Sequence, residues 1–179
     1  MVTRDDYFDA ALTILSTAGY GGLKLAPVCE LLKVTTGSFY NYFNSWGDFK
    51  AQFLQAWLDR RTMQLVEIAQ SESEPTRRLE VLIELSVALP HHAEAAIRAW
   101  SHSDPDVKRI QATVDEHRFA VTYEAMLEIL HDAQAAEDFT HLGTYILTGF
   151  QQVDPTRDTK HLQWSLERLL NTVLASAEE

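Results

Sequence analysis

"TTGSFYNYF", residues 35–43, carries no charged side chain, opens on the hydroxyls of Thr35, Thr36 and Ser38, and closes on the aromatic pairs Phe39-Tyr40 and Tyr42-Phe43. A segment so polar at its front is unlike ordinary core, and nothing in it has the make-up of a catalytic constellation. Just upstream, Leu25, Val28, Cys29 and Leu32 fall at helical spacing and predict a helix over 25–32, separated from this stretch only by the turn "LKV". Two helices joined by so short a turn cannot pack antiparallel, and a helix-turn-helix is the usual outcome. Before them, Phe8, Ala11, Leu12 and Leu15 predict a first helix that stops at Gly19. The front of the third helix can then enter a DNA major groove, because its small side chains let the backbone approach. The aromatics behind can anchor the helix or reach phosphates through the tyrosine hydroxyls. On spacing alone, a polar-fronted helix in a plain three-helix bundle fits equally well.

The rest of the chain is helical too. No segment sustains a period of two, and three of the seven glycines cluster in "GYGG" at 19–22. Glu74-Pro75, Asp104-Pro105 and Asp154-Pro155 each place a proline at a plausible first helical position, the last two behind an Asp cap. Nine helices are predicted, near 3–18, 25–32, 35–42, 46–71, 75–89, 91–101, 105–133, 137–152 and 156–176. The fold class is all-α, with a helix-turn-helix domain over 1–45 and a larger helical domain over 46–179.

Charge divides the chain in the same way. The net charge of −11 argues against nucleic acid, but its distribution does not. Residues 1–62 hold six Lys/Arg and six Asp/Glu, whereas 63–179 hold nine basic and twenty acidic groups. No run of about 18 apolar residues predicts a membrane span. The start "MVTRDDYFDAAL" lacks the basic-then-apolar pattern of a secretory signal, and the single Cys29 fits a small buried residue in a reducing cytoplasm. No Ser/His/Asp or Cys/His set, glycine-rich phosphate loop or metal-ligand spacing stands out, so neither an enzyme, a cofactor nor a metal is expected. The adjacent His91-His92 diverge by about 100° on a helix.

The run from "ALTILSTAGYGG" through "TTGSFYNYFNSWGDFKAQFLQAW", residues 11–57, resembles the DNA-binding domain of the TetR family of transcriptional regulators. The resemblance rests on the Gly19-Tyr20 stop, the Thr35–Tyr40 run, Tyr42-Phe43, and Asp48-Phe49 opening the fourth helix. It covers about a quarter of the chain. "IRAWSHSDPDVKRIQATVDEHR" is similar to the family's smaller bacterial members. The resemblance implies a variable ligand-binding and dimerisation domain after the reading head. It also implies DNA contacts from Thr35, Thr36, Ser38, Tyr40, Asn41 and Tyr42, with Lys24, Lys33 and Lys50 as cations. Two positions depart from the family: Trp46 stands where a lysine is usual, and Lys33 where the turn glycine is usual. With Arg4 alone before three aspartates, modest and strongly salt-dependent DNA affinity is expected.

In the larger domain, 105–133 carries one stripe of Val107, Ile110, Val114, His117 and Val121, then a second of Phe119, Tyr123, Met126, Leu127 and Leu130 on the other face. A helix whose buried face switches midway packs between two neighbours. Trp57, Trp100, His117 and Tyr123 are the candidate lining of an effector pocket. A hydrogen-bonded core role for His117, and plain core filling by both tryptophans, remain open. The last two helices carry the stripes Phe139, Leu142, Ile146, Phe150, Val153 and Leu162, Leu166, Leu169, Val173. Each could cover the domain's own core; together they fit a homodimer interface. The expected protein is a cytoplasmic, homodimeric repressor, released from a near-palindromic operator by a small apolar or amphipathic effector. The alternative is an all-α protein-interaction module with a weakened DNA head.

Overall fold

The computed structural model describes residues 2–153 and 158–178. Its helices are α1 (Arg4–Gly22), α2 (Leu25–Leu32), α3 (Thr36–Tyr40), α4 (Trp46–Leu58), α5 (Gln64–Gln70), α6 (Pro75–Val87), α7 (His91–Ser101), α8 (Pro105–Leu130), α9 (Ala133–Val153) and α10 (Lys160–Ser176). A π-helical turn, Asp59–Met63, joins α4 to α5, so the predicted helix over 46–71 is continuous but not uniform. Counted through that turn, the described helices number nine, as expected, and no strand occurs among them.

The caps explain the boundaries. The Thr3 hydroxyl accepts from the Asp6 amide and the Asp6 carboxylate accepts from the Thr3 amide, a reciprocal box that starts α1. Helical hydrogen bonding reaches Gly22 but bends at Gly19, whose φ of 64° a side chain would resist. Glu74 accepts from the amides of Thr76 and Arg77 ahead of Pro75, and Asp104 accepts from Asp106 and Val107 ahead of α8. The predicted break near 134–136 instead falls earlier. His131 takes a left-handed φ of 54°, and Asp132 caps α9 through the amides of Gln134 and Ala135. The predicted Asp154-Pro155 cap lies outside the described residues.

Two packed units emerge, and they do not coincide with the division at residue 45. The first takes the described residues up to Asp59 together with Pro90–Ala112; the second takes Arg60–Leu89 and the described residues from Thr113 onward. α8 contributes its first turns to one unit and the remainder to the other, the change falling inside its first predicted stripe, between Ala112 and Thr113.

In the first unit α1 packs on α2, α4 and α7. Its core is a cluster of rings from α1, α3 and α4: Tyr7 meets Phe39 and Phe43 edge-on at 5.6 and 5.5 Å, and Phe43 meets Phe49 at 4.9 Å. Such pairs add about 0.5–1.5 kcal/mol each beyond the area they bury. In the second unit α10 packs against α6 and α9 around Leu79, Ala125, Met126, Ala136, Leu170 and Val173. A Cβ added at Gly143 would stand 3.4 Å from a Leu169 methyl, so α9 and α10 approach closely there. No helix of the described residues is long and apolar enough to cross a membrane.

Candidate nucleic-acid interface

α3 begins where Thr35, in extended conformation, turns its hydroxyl back to accept from the Ser38 amide at 3.2 Å. Phe39 and the following Phe43 point into the ring cluster and are buried, which turns Thr36, Gly37, Tyr40 and Asn41 outward. Tyr40 is 54% exposed although it neighbours a fully buried phenylalanine. A Cβ at Gly37 would meet only the Thr35 hydroxyl at 3.6 Å, so packing does not demand glycine there. The front of α3 is thus a small, hydroxyl- and amide-bearing surface on a rigid aromatic base.

Not every predicted contact residue belongs to that surface. Ser38 is half-buried, and its hydroxyl accepts from that of the buried Tyr7 at 3.3 Å. The Tyr42 hydroxyl donates to the Val2 carbonyl, while Arg4 donates to the Tyr42 carbonyl at 3.2 Å and lies 5.7 Å from the Phe43 ring centre. Tyr42 therefore ties down the N-terminal segment, with its one O–H donor already engaged. Lys50 lies against Asp104 at 3.8 Å and over the Trp100 ring at 5.7 Å. Lys24 and Lys33 are exposed, as expected. Lys33 sits at the end of α2 in the left-handed conformation (φ 55°, ψ 42°), its amide donating to the carbonyls of Cys29 and Glu30. The lysine in this turn thus occupies the backbone region that favours glycine.

The four predicted effector residues fall into different units. Trp57 and Trp100 are buried in the first: the Trp57 indole donates to the buried Glu94 at 3.2 Å, and Trp100 is stacked by Tyr20 at 4.5 Å and 12°. Both are buried, as core filling and pocket lining alike would have them. The Trp100 indole nitrogen is buried with no hydrogen-bond partner. His117 and Tyr123 are half-buried in the second unit, where Tyr123 stacks on Phe119. Phe119 in turn lies 4.9 Å from His141, which stacks on Tyr145, forming a row of rings across α8 and α9.

The predicted interface stripe on α10 is already covered within the chain. Leu162, Leu166, Leu169 and Val173 are all buried within the single chain, because α10 turns them onto α6 and α9. On α9, Phe139 packs against the same core, and Ile146 and Phe150 are half-buried. The apolar surface left outside includes two residues of the predicted α9 stripe, Leu142 and Val153, at 45 and 72% exposure, together with Tyr145 at 66% and Trp164 on α10 at 62%.

Sequence reading missed Tyr7, Arg4, Glu94 and Asp104 as partners of the predicted residues. For Glu94 a signal existed. It lies three residues before Ile97 on an otherwise apolar face of α7, where a carboxylate needs a donor and a buried indole needs an acceptor.

No protein-family model matches the sequence, and no curated protein does. Solved structures do. A transcriptional regulator from Rhodococcus superposes with a TM-score of 0.79 at 15% identity, covering 97% of each chain. A TetR transcription regulator from Haloarcula marismortui gives 0.72 at 18% identity, over 98% of this chain and 96% of its own. The regulator FadR from Bacillus subtilis, in complex with stearoyl-CoA, gives 0.70 at 14% identity, over 97 and 99%. The chain has the fold of the TetR family of transcriptional regulators.

Proposed function

We propose that the protein is a ligand-responsive, DNA-binding transcriptional regulator acting in the cytoplasm. As a homodimer it represses from a near-palindromic operator until a small apolar or amphipathic molecule releases it. The observation that carries this reading is the front of α3. Thr36, Tyr40 and Asn41 face outward from a buried aromatic base, next to a glycine whose packing leaves room for a nearby surface. Base edges are read by such hydroxyls and amides, while Lys24 and Lys33 meet phosphates. Residues 1–45 supply the reading surface.

The dimer reading is supported by the exposed apolar residues of α9 and by Trp164, since two copies of such a surface can cover one another. An apolar or amphipathic effector is supported by FadR, whose structure contains stearoyl-CoA. In this chain His117, Phe119 and Tyr123 are the half-buried polar and aromatic side chains that such a molecule would meet. A second reading, a protein-interaction module, is favoured by one observation: two of the four cations before Asp59, Arg4 and Lys50, are held by the protein itself.

Selection of bound fragments from random DNA at low salt, followed by sequencing, decides between them. Enrichment of a near-palindrome with half-sites about 34–36 Å apart supports the regulator. No enrichment overturns it in favour of the interaction module.

A further inference from the structure

The π turn at Asp59–Met63 has an unusual composition. "DRRTM" holds neither glycine nor proline, so nothing in its own residues asks for the wider i→i+5 pattern. Its Thr62 is fully buried, and the hydroxyl has no hydrogen-bond partner. Elsewhere in this protein, Thr13, Thr17, Thr122, Thr140, Thr144 and Thr172 each donate to the carbonyl four residues earlier. For Thr62 that acceptor would be the Leu58 carbonyl, brought into place by an ordinary α-helical turn. The π register leaves a desolvated hydroxyl unsatisfied, which is unfavourable.

A second group pulls the other way. Arg118 on α8 donates through Nη2 to the Arg61 carbonyl at 3.1 Å. A charge-assisted bond to a helix carbonyl draws it off the helix's own ladder and stabilises the looser turn. In the π turn the Thr62 hydroxyl is left unsatisfied while Arg118 holds the Arg61 carbonyl.

We infer that Asp59–Met63 is a two-register switch, held in the π form by Arg118 and drawn toward the α form by the buried hydroxyl of Thr62. The turn stands where the chain leaves one packed unit for the other. What the switch serves rests on the regulator reading above; its existence does not.

Amide relaxation dispersion on the full chain tests it, comparing wild type with Thr62→Val and Arg118→Gln. Microsecond-to-millisecond exchange is expected in wild type and confined to residues 58–66. The isosteric valine removes the hydroxyl that only the α register satisfies, and so quenches the exchange. Arg118→Gln is expected to raise the minor population at least about fivefold, the factor given by roughly 1 kcal/mol. Wild type without exchange, or both variants moving the population in the same direction, overturns the switch. Should Arg118→Gln fail to fold, Thr62→Val decides alone: quenching supports the switch, and unchanged dispersion overturns it. On selected operator DNA the two variants are expected to shift affinity in opposite directions. A wild type that binds no DNA sequence selectively overturns the regulator reading, and the dispersion result still decides the switch.

Discussion

The Lys50 ammonium stands 3.8 Å from an Asp104 carboxylate oxygen and 5.7 Å from the centre of the Trp100 ring. A cation held in this way is poorly placed to release counterions from DNA. On the proposed DNA-binding reading, lysine contacts to phosphate would therefore fall to Lys24 and Lys33.

The salt dependence of operator binding should reflect that division. Lys24→Ala and Lys33→Ala are each expected to reduce the slope of log affinity against log salt by about 0.9 per protomer. Lys50→Ala is expected to leave the slope close to wild type. Fluorescence anisotropy across a salt series measures all three, and an equal effect from Lys50 would place it at the DNA after all.

Gly37→Ala separates folding from reading. The new methyl meets only the Thr35 hydroxyl at 3.6 Å, and alanine favours a helix over glycine by up to about 1 kcal/mol. The melting temperature should hold or rise, while operator affinity should fall by about tenfold or more, some 1.4 kcal/mol. Unchanged affinity would remove the front of α3 from the groove.

Lys33→Gly should stabilise the protein by roughly 1 kcal/mol, since a β-carbon is disfavoured at φ 55°. Urea unfolding checks the gain. Its cost is a lost cation, so the same variant should bind DNA more weakly despite melting later.

The assembly prediction turns on which apolar residues are outside. Tyr145→Glu and Trp164→Glu should yield folded monomers of 20.3 kDa by light scattering, with wild-type far-UV circular dichroism. Leu169→Glu should instead destabilise the chain itself, because it buries a charge in the core. A wild type that is monomeric at micromolar concentration removes the interface altogether.

Acid should weaken the caps. Hydrogen bonds hold the carboxyls of Asp6, Asp48 and Glu74 below the usual range: Asp6 through the Thr3 backbone amide, Asp48 through the Gln52 side chain and then the Asn44 amide, and Glu74 through the Arg77 and Thr76 amides. In each case the folded chain binds protons less readily than the unfolded one. The stabilisation is therefore complete above the ordinary carboxyl range and lost as pH falls through the lower folded values. Glu74→Gln should be less stable than wild type at neutral pH, and the gap should close in acid; thermal melts at stepped pH measure it.

Much of this was legible in the residues. Helical spacing and Pro or Asp at the starts of helices fix the elements, because both act within a turn or two. The spacing of Phe39 and Phe43 sets the outward face of α3. Other features depend on distant partners and leave no local mark. Leu162, Leu166, Leu169 and Val173 form the same stripe whether it meets the chain's own core or a second copy. The Tyr42 hydroxyl reads as free until Val2, forty residues away, occupies it. The π turn has no residue that announces it, since Arg118, more than fifty positions later, is what holds the Arg61 carbonyl.

The packing of α7 against α1, with Tyr20 flat on Trp100, bears on how the head could be moved to another protein. A cassette cut at residue 45 would leave behind α7, the start of α8 and all of α4, stripping cover from one side of α1. A working graft would need two pieces, everything through Asp59 together with 90–112, inserted at matching places in the recipient. Domain-shuffling by a single crossover near residue 45 is therefore a poor route to new pairings of operator and effector in this protein. Exchange of side chains on the front of α3, within an intact scaffold, is the better one.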